Sequence, residues 1–305
     1  MVQLAEPVDP FGEVNVYRNA DGTLQIVATI LTRPDIERAA TGLALDASAS
    51  MQKWYGNSRV LSPVFKSESP NIIQPIAQAM AKHLAEFSGN GKTHLIYWAL
   101  KPDGTGIEEI GVVGVHDADQ LKINGPRTLP WGRGTKLLPP VRYFVEHAFL
   151  DASWAIAVII TDGVIEDLNE VKQYCMNFAR QIAAGKRNFI KFVLIGVGDQ
   201  IDEEQMTELD DMFEGTDLRA PDGSLIDLWD HKIAYQMRQL DEIYAEVVRE
   251  DMIVSRHGRI FDDQGRLVRN YSDGLPAMLR FNLPAGCRSF SLEFSGGRIT
   301  QPLIF

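Results

Sequence analysis

One carboxylate and two hydroxyls lie at alternating positions in Asp46-Ala47-Ser48-Ala49-Ser50. A short apolar run at residues 42–45 precedes them and is typical of a buried strand. Open α/β sheets bind their ligands just beyond the carboxyl ends of their strands. Because these hard oxygen donors suit Mg²⁺ or Mn²⁺ better than zinc, the stretch predicts a divalent-metal site.

Two later segments carry matching side chains. Thr135 follows Gly134 in a glycine-flanked loop that precedes a helical pattern. Asp162 follows the continuous apolar run of residues 154–161, which is typical of a strand covered on both faces. Neighbouring strand ends meet at one edge of a sheet. We therefore expect one site composed of Asp46, Ser48, Ser50, Thr135 and Asp162.

The elements that must position this site alternate between strands and helices. Helical patterns are predicted from Asn71, over 137–149 and 169–184, as a short acidic helix at 202–212 and as a long helix at 231–250. Strands are predicted at 93–100, 107–115, 154–161, 189–197 and 225–228. The loop at 101–106 is too short for a parallel crossover, so the first pair should be antiparallel.

Both ends of the chain have a different character. Residues 11–31 predict a β-hairpin, and residues 252–305 contain short β-like runs separated by glycine turns. We therefore expect an α/β domain over residues 36–250. The segments 11–31 and 252–305 should form a small all-β module from the N- and C-termini.

Composition narrows the function. The chain of 305 residues has 30 Lys and Arg against 41 Asp and Glu, a formal net charge of −11. This acidity disfavours nucleic acid and anionic membrane surfaces as partners. The N-terminus shows no signal-peptide pattern and no apolar run approaches a membrane span, so we expect a cytoplasmic location. Cys175 and Cys287 match neither a disulfide framework nor a zinc spacing.

The order D-x-S-x-S, G-x-T and T-D-G on alternating α/β elements resembles the von Willebrand factor A (vWA) family, over about residues 36–250. The G-x-T element departs from the family pattern, because Gly134 directly precedes Thr135 and Gly132 lies three positions before it. The resemblance implies a doubly wound, Rossmann-like, mostly parallel sheet with one antiparallel strand. It also implies a metal-ion-dependent adhesion site. Ser48 and Ser50 would ligate Mg²⁺ or Mn²⁺, Thr135 would do so in the ligand-competent state, and Asp46 and Asp162 would act through water and hydrogen bonds.

The resemblance implies a protein partner that offers an Asp or Glu carboxylate to the ion. Intracellular bacterial members of the family work beside MoxR-type AAA+ ATPases, in metal-chelatase assemblies or in stress-response systems, so such an ATPase is a candidate partner. Five residues near the motifs could either contact this partner or pack the loops: Trp54, Tyr55, Arg59, Trp131 and Arg133. Exposed aromatic and Arg side chains are frequent in binding hot spots.

Two other classes stay open. A Mg²⁺-dependent phosphoester hydrolase could use the same carboxylates, although the sequence assigns no nucleophile or general base to the site. A scaffold that binds through its β module is the other alternative.

Gly91-Lys92-Thr93 lacks the first glycine of a P-loop and precedes a strand, so we interpret it as a turn. The acidic run at 202–204 indicates a helix cap, and Asp210 and Asp211 a solvated helix face.

Overall fold

A computed structural model of the chain describes residues 2–30, 38–57, 70–198, 200–221, 223, 225–234, 253–255, 257–272, 274–294 and 297–304. These residues divide into two compact units. One unit comprises residues 38–244, and the other combines residues 1–37 with 245–305. Within the described part of the chain, no helix combines the length and the apolar character that a membrane span requires.

Strands dominate the described residues. In chain order they are β1 (Val2–Gln3), β2 (Phe11–Arg18), β3 (Leu24–Ile30), β4 (Ala39–Asp46), β5 (Lys92–Leu100), β6 (Gly106–Gly114), β7 (Trp154–Thr161), β8 (Phe189–Val197), β9 (Trp229–Ala234), β10 (Ile253–Ser255), β11 (Gly258–Asp262), β12 (Leu267–Tyr271), β13 (Leu275–Pro276), β14 (Met278–Leu283), β15 (Ser289–Phe294) and β16 (Gly297–Pro302). The α-helices are α1 (Ile73–Phe87), α2 (Leu138–Tyr143), α3 (Leu168–Ala183) and α4 (Glu203–Asp210). Shorter 3₁₀ segments span Ala49–Tyr55, Ala118–Gln120 and Asp211–Phe213, and a π turn at Phe144–Ala148 extends α2.

A six-stranded sheet forms the centre of the larger unit, in the order β6-β5-β4-β7-β8-β9. Five strands run parallel, and β6 pairs antiparallel with β5 at one edge. The chain builds outward from β4 to β6 and then returns to the other side of β4 with β7. The topological switch point therefore lies between β4 and β7. This topology confirms the predicted doubly wound, mostly parallel sheet with one antiparallel strand.

Helices cover both faces of this sheet. Helix α1 packs on β4 and β5 through an apolar stripe that includes Ile76, Met80 and Leu84. Helices α2 and α3 share a separate buried cluster with alternate residues of β4, β5 and β7. Close packing explains Gly42 on β4, since a Cβ there would lie 2.3 Å from Cε1 of Phe144. Burial on both faces accounts for the continuous apolar strand sequences.

The smaller unit is built from antiparallel strands. Its first sheet has the order β1-β2-β3-β14, so strands from both ends of the chain pair side by side. A second four-stranded sheet has the order β12-β11-β15-β16, and β10 pairs with β13. Phe290 of the second sheet makes edge contacts with Phe11 and Phe281 of the first, at centroid distances of 5.4 and 5.0 Å. The predicted all-β module from both termini is confirmed as a fold class.

Two predicted elements near the end of the larger unit are wrong in position. Residues 231–234 belong to strand β9, which pairs in parallel with β8, and not to a helix that begins at residue 231. Pairing with the sheet edge overrides the local helical periodicity there. The rest of that predicted helix, 235–250, lies outside the described residues. The predicted strand at 225–228 ends where β9 begins; Leu225 makes an isolated bridge with Arg219.

Candidate metal centre

The carboxyl ends of β4 and β7 bring the two predicted carboxylates to one place. Asp46 is the last residue of β4, and Asp162 directly follows Thr161, the last residue of β7. The two strands are parallel neighbours, with Leu45 opposite Ile160. The Thr161 hydroxyl donates to Asp46 Oδ2 at 2.7 Å. The site thus lies at the switch point of the sheet, where doubly wound folds bind their ligands.

Four of the five predicted residues form a continuous chain of hydrogen bonds. The Ser48 backbone N–H donates to Asp46 Oδ1 at 2.7 Å. The hydroxyl oxygens of Ser48 and Ser50 lie 3.0 Å apart. The Ser50 hydroxyl then donates to Asp162 Oδ1 at 2.7 Å. The turn after β4 therefore places the two hydroxyls side by side, and Ser50 links Ser48 to the second carboxylate.

Thr135 lies beside this chain. A Cβ added at Gly163 would be 2.8 Å from the Thr135 hydroxyl oxygen, so the hydroxyl rests against the backbone that follows Asp162. The Thr135 carbonyl accepts the Glu166 backbone N–H at 3.0 Å. Thr135 is buried, with 7% of its surface exposed. The structure thus places all five predicted residues at the same edge of the sheet.

A glycine in the Thr135 loop allows this close approach. Gly132 forms an isolated parallel bridge with Ser48. Its carbonyl accepts the Ala49 N–H at 2.8 Å, and its N–H donates to the Ala47 carbonyl at 3.2 Å. A Cβ at Gly132 would lie only 1.8 Å from the carbonyl oxygen of Ala99. Any other residue at this position would therefore push the Thr135 loop away from the end of β5.

The two carboxylates share a buried environment that disfavours negative charge. Burial, followed by repulsion from Asp162, raises the pKa of Asp46 to about 7 despite its hydrogen bonds from Ser48 and Thr161. Burial also raises the pKa of Asp162, against the opposing effects of the Ser50 hydroxyl and Lys53. Neutral groups donate the hydrogen bonds to Asp46. Two buried carboxylates with adjacent hydroxyls fit a hard divalent cation, which would favour their ionised forms.

The residues expected either to rim the site or to pack its loops divide into two groups. Tyr55 is buried, and its hydroxyl donates to the Asp46 carbonyl at 2.8 Å. Trp131 packs edge-on against Tyr55, with ring centroids 5.2 Å apart. Both aromatic residues therefore hold the loops together. Arg133 is exposed and Trp54 half-buried, with Lys53 above the Trp54 ring at 4.8 Å, whereas Arg59 lies outside the described residues.

A second group of ionisable residues was not foreseen from the sequence. Ligand atoms of Asp210, Asp230 and His231 lie within 4.8 Å of one another. His231 Nδ1 is 2.8 Å from Asp210 Oδ2, and the His231 backbone N–H donates to Asp230 Oδ1 at 2.8 Å. The group joins the end of α4 to β9, and Asp210 and Asp230 are 20 positions apart in the chain, so local spacing carried no signal. The acidic run at 202–204 does cap α4, where Asp202 accepts the Gln205 N–H at 3.2 Å.

Comparisons with known proteins give structural similarity without sequence similarity. No protein-family model matches the sequence, and no curated protein does. Among solved structures, the PilB minor pilin from Streptococcus sanguinis is similar, with 13% identity, a TM-score of 0.44, and coverage of 77% of this chain and 76% of the pilin.

Two further solved structures are similar at the same level. The mussel byssus protein PTMP1, described with a zinc-occupied MIDAS motif, has 12% identity and a TM-score of 0.41, with 72% of this chain and 48% of that chain covered. The conserved hypothetical protein BatB from Bacteroides thetaiotaomicron has 13% identity and a TM-score of 0.37, with 68% and 97% covered.

Proposed function

We propose that this protein is a metal-dependent protein-binding module that captures a partner carboxylate at a Mg²⁺ or Mn²⁺ site. The observation that carries the proposal is the hydrogen-bonded chain from Asp46 through Ser48 and Ser50 to Asp162, with Thr135 beside it. Ser48, Ser50 and Thr135 would provide neutral oxygen ligands. Asp46 and Asp162 would hold these ligands and the ion's water molecules in place.

The donor set explains why such a site would bind an acidic group. Neutral hydroxyl ligands leave most of the ion's charge uncompensated, and Mg²⁺ prefers six oxygen ligands in an octahedron. The bound ion would supply an open coordination position that an Asp or Glu side chain of a partner can fill. Asp46 is completely buried, so its carboxylate would not contact the incoming acidic group directly.

Charges around the site support a partner of this kind. The chain carries a net charge of −11, yet exposed Lys53 and Arg133 belong to the two loops that contain Ser50 and Thr135. Lys53 is near enough to Asp162 to lower the pKa of that carboxyl. Local positive charge favours the approach of an acidic segment and disfavours a basic one.

The cellular setting extends the proposal beyond the site. Resemblance to intracellular bacterial vWA proteins supports a cytoplasmic assembly or stress-response system, with a MoxR-type AAA+ ATPase as a candidate partner. In this proposal residues 36–250 form the binding domain, and the β module of residues 11–31 and 252–305 accompanies it.

Calorimetry and peptide binding on the full chain test the proposal. We expect uptake of Mg²⁺ and Mn²⁺ by the wild type and its loss in Ser48→Ala/Ser50→Ala, while a variant of the exposed Ser272, Ser272→Ala, binds as the wild type does. A panel of immobilised peptides in which each Glu member is paired with its Gln counterpart then probes the open position. Binding should favour the Glu members in Mg²⁺ and vanish in EDTA. No metal uptake at millimolar concentration, or capture that ignores EDTA, would refute the proposal.

A further inference from the structure

A carboxylate on the edge strand holds the beginning of the loop that contains Thr135. Glu108 of β6 accepts three successive backbone N–H groups: those of Arg127 at 2.7 Å, Thr128 at 2.8 Å and Leu129 at 3.0 Å. The Thr128 hydroxyl donates to the same carboxylate at 2.6 Å. Four donors on one side chain are more than a chance surface contact provides. Hydrogen bonds to an ionised carboxylate are also stronger than hydrogen bonds between neutral groups.

The chain leads directly from this anchor to the candidate metal centre. The Pro130 carbonyl accepts the Lys101 N–H at 3.0 Å, and Trp131 forms a bridge with Leu100. Gly132 follows, with its two hydrogen bonds to the turn that contains Ser48. Only Pro130 and Trp131 therefore separate Leu129, whose N–H is the last one bound by Glu108, from Gly132, which contacts the turn that contains Ser48.

The other end of this loop is held in the same way. Asp167, which is buried, accepts the Leu137 N–H at 2.7 Å and the Leu138 N–H at 3.0 Å at the start of α2. A carboxylate thus binds backbone N–H groups on each side of Thr135. Neither Glu108 nor Asp167 belongs to the five residues of the candidate site.

We propose that Glu108 is a positioning residue of the metal centre, whose carboxylate fixes residues 127–129 and thereby keeps Thr135 beside Asp162. This inference rests on the proposed function. It adds a residue that lies outside the three motifs and on a strand that contributes no ligand. A preorganised Thr135 would bind the ion without first ordering its loop, so the metal affinity includes the contribution of Glu108.

The ionisation of Glu108 agrees with this geometry. Partial burial by itself would raise its pKa, but the Thr128 hydroxyl and the three backbone N–H groups together lower the pKa to about 2. The carboxylate therefore stays charged at neutral pH. In Glu108→Gln the side-chain amide keeps one acceptor oxygen, but its NH₂ group faces the backbone N–H groups of residues 127–129. Two donors cannot form a hydrogen bond with each other, so the loop is released.

Metal affinities of matched variants test the positioning role in the full chain. We expect Glu108→Gln to weaken Mn²⁺ binding roughly tenfold or more, the effect that loss of an outer partner of a metal ligand typically has. Glu109→Gln is the matched control, because Glu109 is the next residue on the strand and accepts the Tyr143 hydroxyl at 3.0 Å instead. It should bind Mn²⁺ as the wild type does.

A double-mutant cycle distinguishes positioning from general damage. If Glu108 acts through Thr135, Glu108→Gln should add little to the loss of affinity already caused by Thr135→Ala. Hydrogen exchange of the metal-free protein should also be faster over residues 127–135 in Glu108→Gln and unchanged in Glu109→Gln. If Glu108→Gln does not fold, Thr128→Ala removes one of the four donors and should weaken Mn²⁺ binding in the same direction by a smaller factor.

The outcomes separate this inference from the proposed function. Two results would overturn the positioning role and leave the metal site intact. One is that Glu108→Gln binds Mn²⁺ with wild-type affinity. The other is that Glu108→Gln weakens Mn²⁺ binding by the same factor in the wild type and in Thr135→Ala. Absence of Mn²⁺ uptake by the wild type itself would overturn the proposed function and the inference with it.

Discussion

Replacement of Asp46 by Asn should stabilise the metal-free protein. The pKa of Asp46 is about 7 in the folded chain against an ordinary value of 3.8. Asn is neutral and of the same shape: its carbonyl can accept the Ser48 N–H, and its amide can donate to the Thr161 hydroxyl oxygen. The substitution therefore removes the cost of burying a charge beside Asp162 and retains the hydrogen bonds.

The magnitude follows from the linkage between protonation and folding. Since one pKa unit corresponds to about 1.4 kcal/mol, the change from 3.8 to about 7 amounts to about 4 kcal/mol. The folded pKa is the higher one, so the folded state retains a proton that the unfolded state has released between these pH values. This contribution is complete below pH 3.8 and is lost as the pH rises toward 7.

Urea unfolding in EDTA at several pH values measures this effect. The free energy of unfolding of Asp46→Asn minus that of the wild type should rise from near zero at pH 4 to about 4 kcal/mol at pH 8. The exposed Glu214 provides a charge-matched control, Glu214→Gln, which should show no such rise. Added Mg²⁺ should stabilise the wild type and leave Asp46→Asn unchanged. A difference that stays flat between pH 4 and pH 8 would refute the reasoning.

Three further predictions concern the same unit. Mn²⁺ affinity of the wild type should fall about tenfold between pH 8 and pH 6, because the ion must displace the Asp46 proton. Calorimetry in two buffers of different ionisation enthalpy measures the proton release. Equal Mn²⁺ affinities at pH 8 and pH 6 would contradict the prediction. Gly132→Ala should destabilise the fold by more than about 2 kcal/mol in thermal unfolding, since its Cβ would overlap the Ala99 carbonyl; an unchanged melting temperature would show that the loop can move away from β5 at no cost. Asp210→Asn should lower the pKa of His231, which a hydrogen bond to Asp210 raises; an NMR titration with an unshifted midpoint would count against that pair.

Much of the sheet could be predicted because its signals are local. Continuous apolar runs marked β5, β7 and β8, and the short loop at 101–106 indicated the antiparallel pairing of β6. The end of the larger unit was harder. Residues 231–234 carry a helical pattern, yet an open sheet edge beside β8 recruits them as β9, and tertiary pairing of this kind leaves no mark on local periodicity.

The candidate site shows the same division. Spacing alone indicated which five side chains would meet, because a residue at the end of a buried strand must lie at the edge of its sheet. It did not indicate Thr161 as a donor to Asp46, although the residue adjoins the T-D-G motif. Glu108 gave no signal at all, since a Glu on an edge strand has the sequence pattern of an ordinary solvated position.

By itself, the order of oxygen-bearing residues at predicted strand ends indicated which side chains lie at one edge of the sheet, and the preference for a hard divalent ion stays a prediction from their chemistry. The tertiary structure decided how strongly those groups are perturbed and what holds them. Burial and the proximity of Asp162 shift the pKa of Asp46, and both depend on atoms more than 100 positions apart in the chain. Such long-range electrostatics and backbone anchoring arise only when the chain is packed, because they depend on distance and dielectric environment, not on residue order.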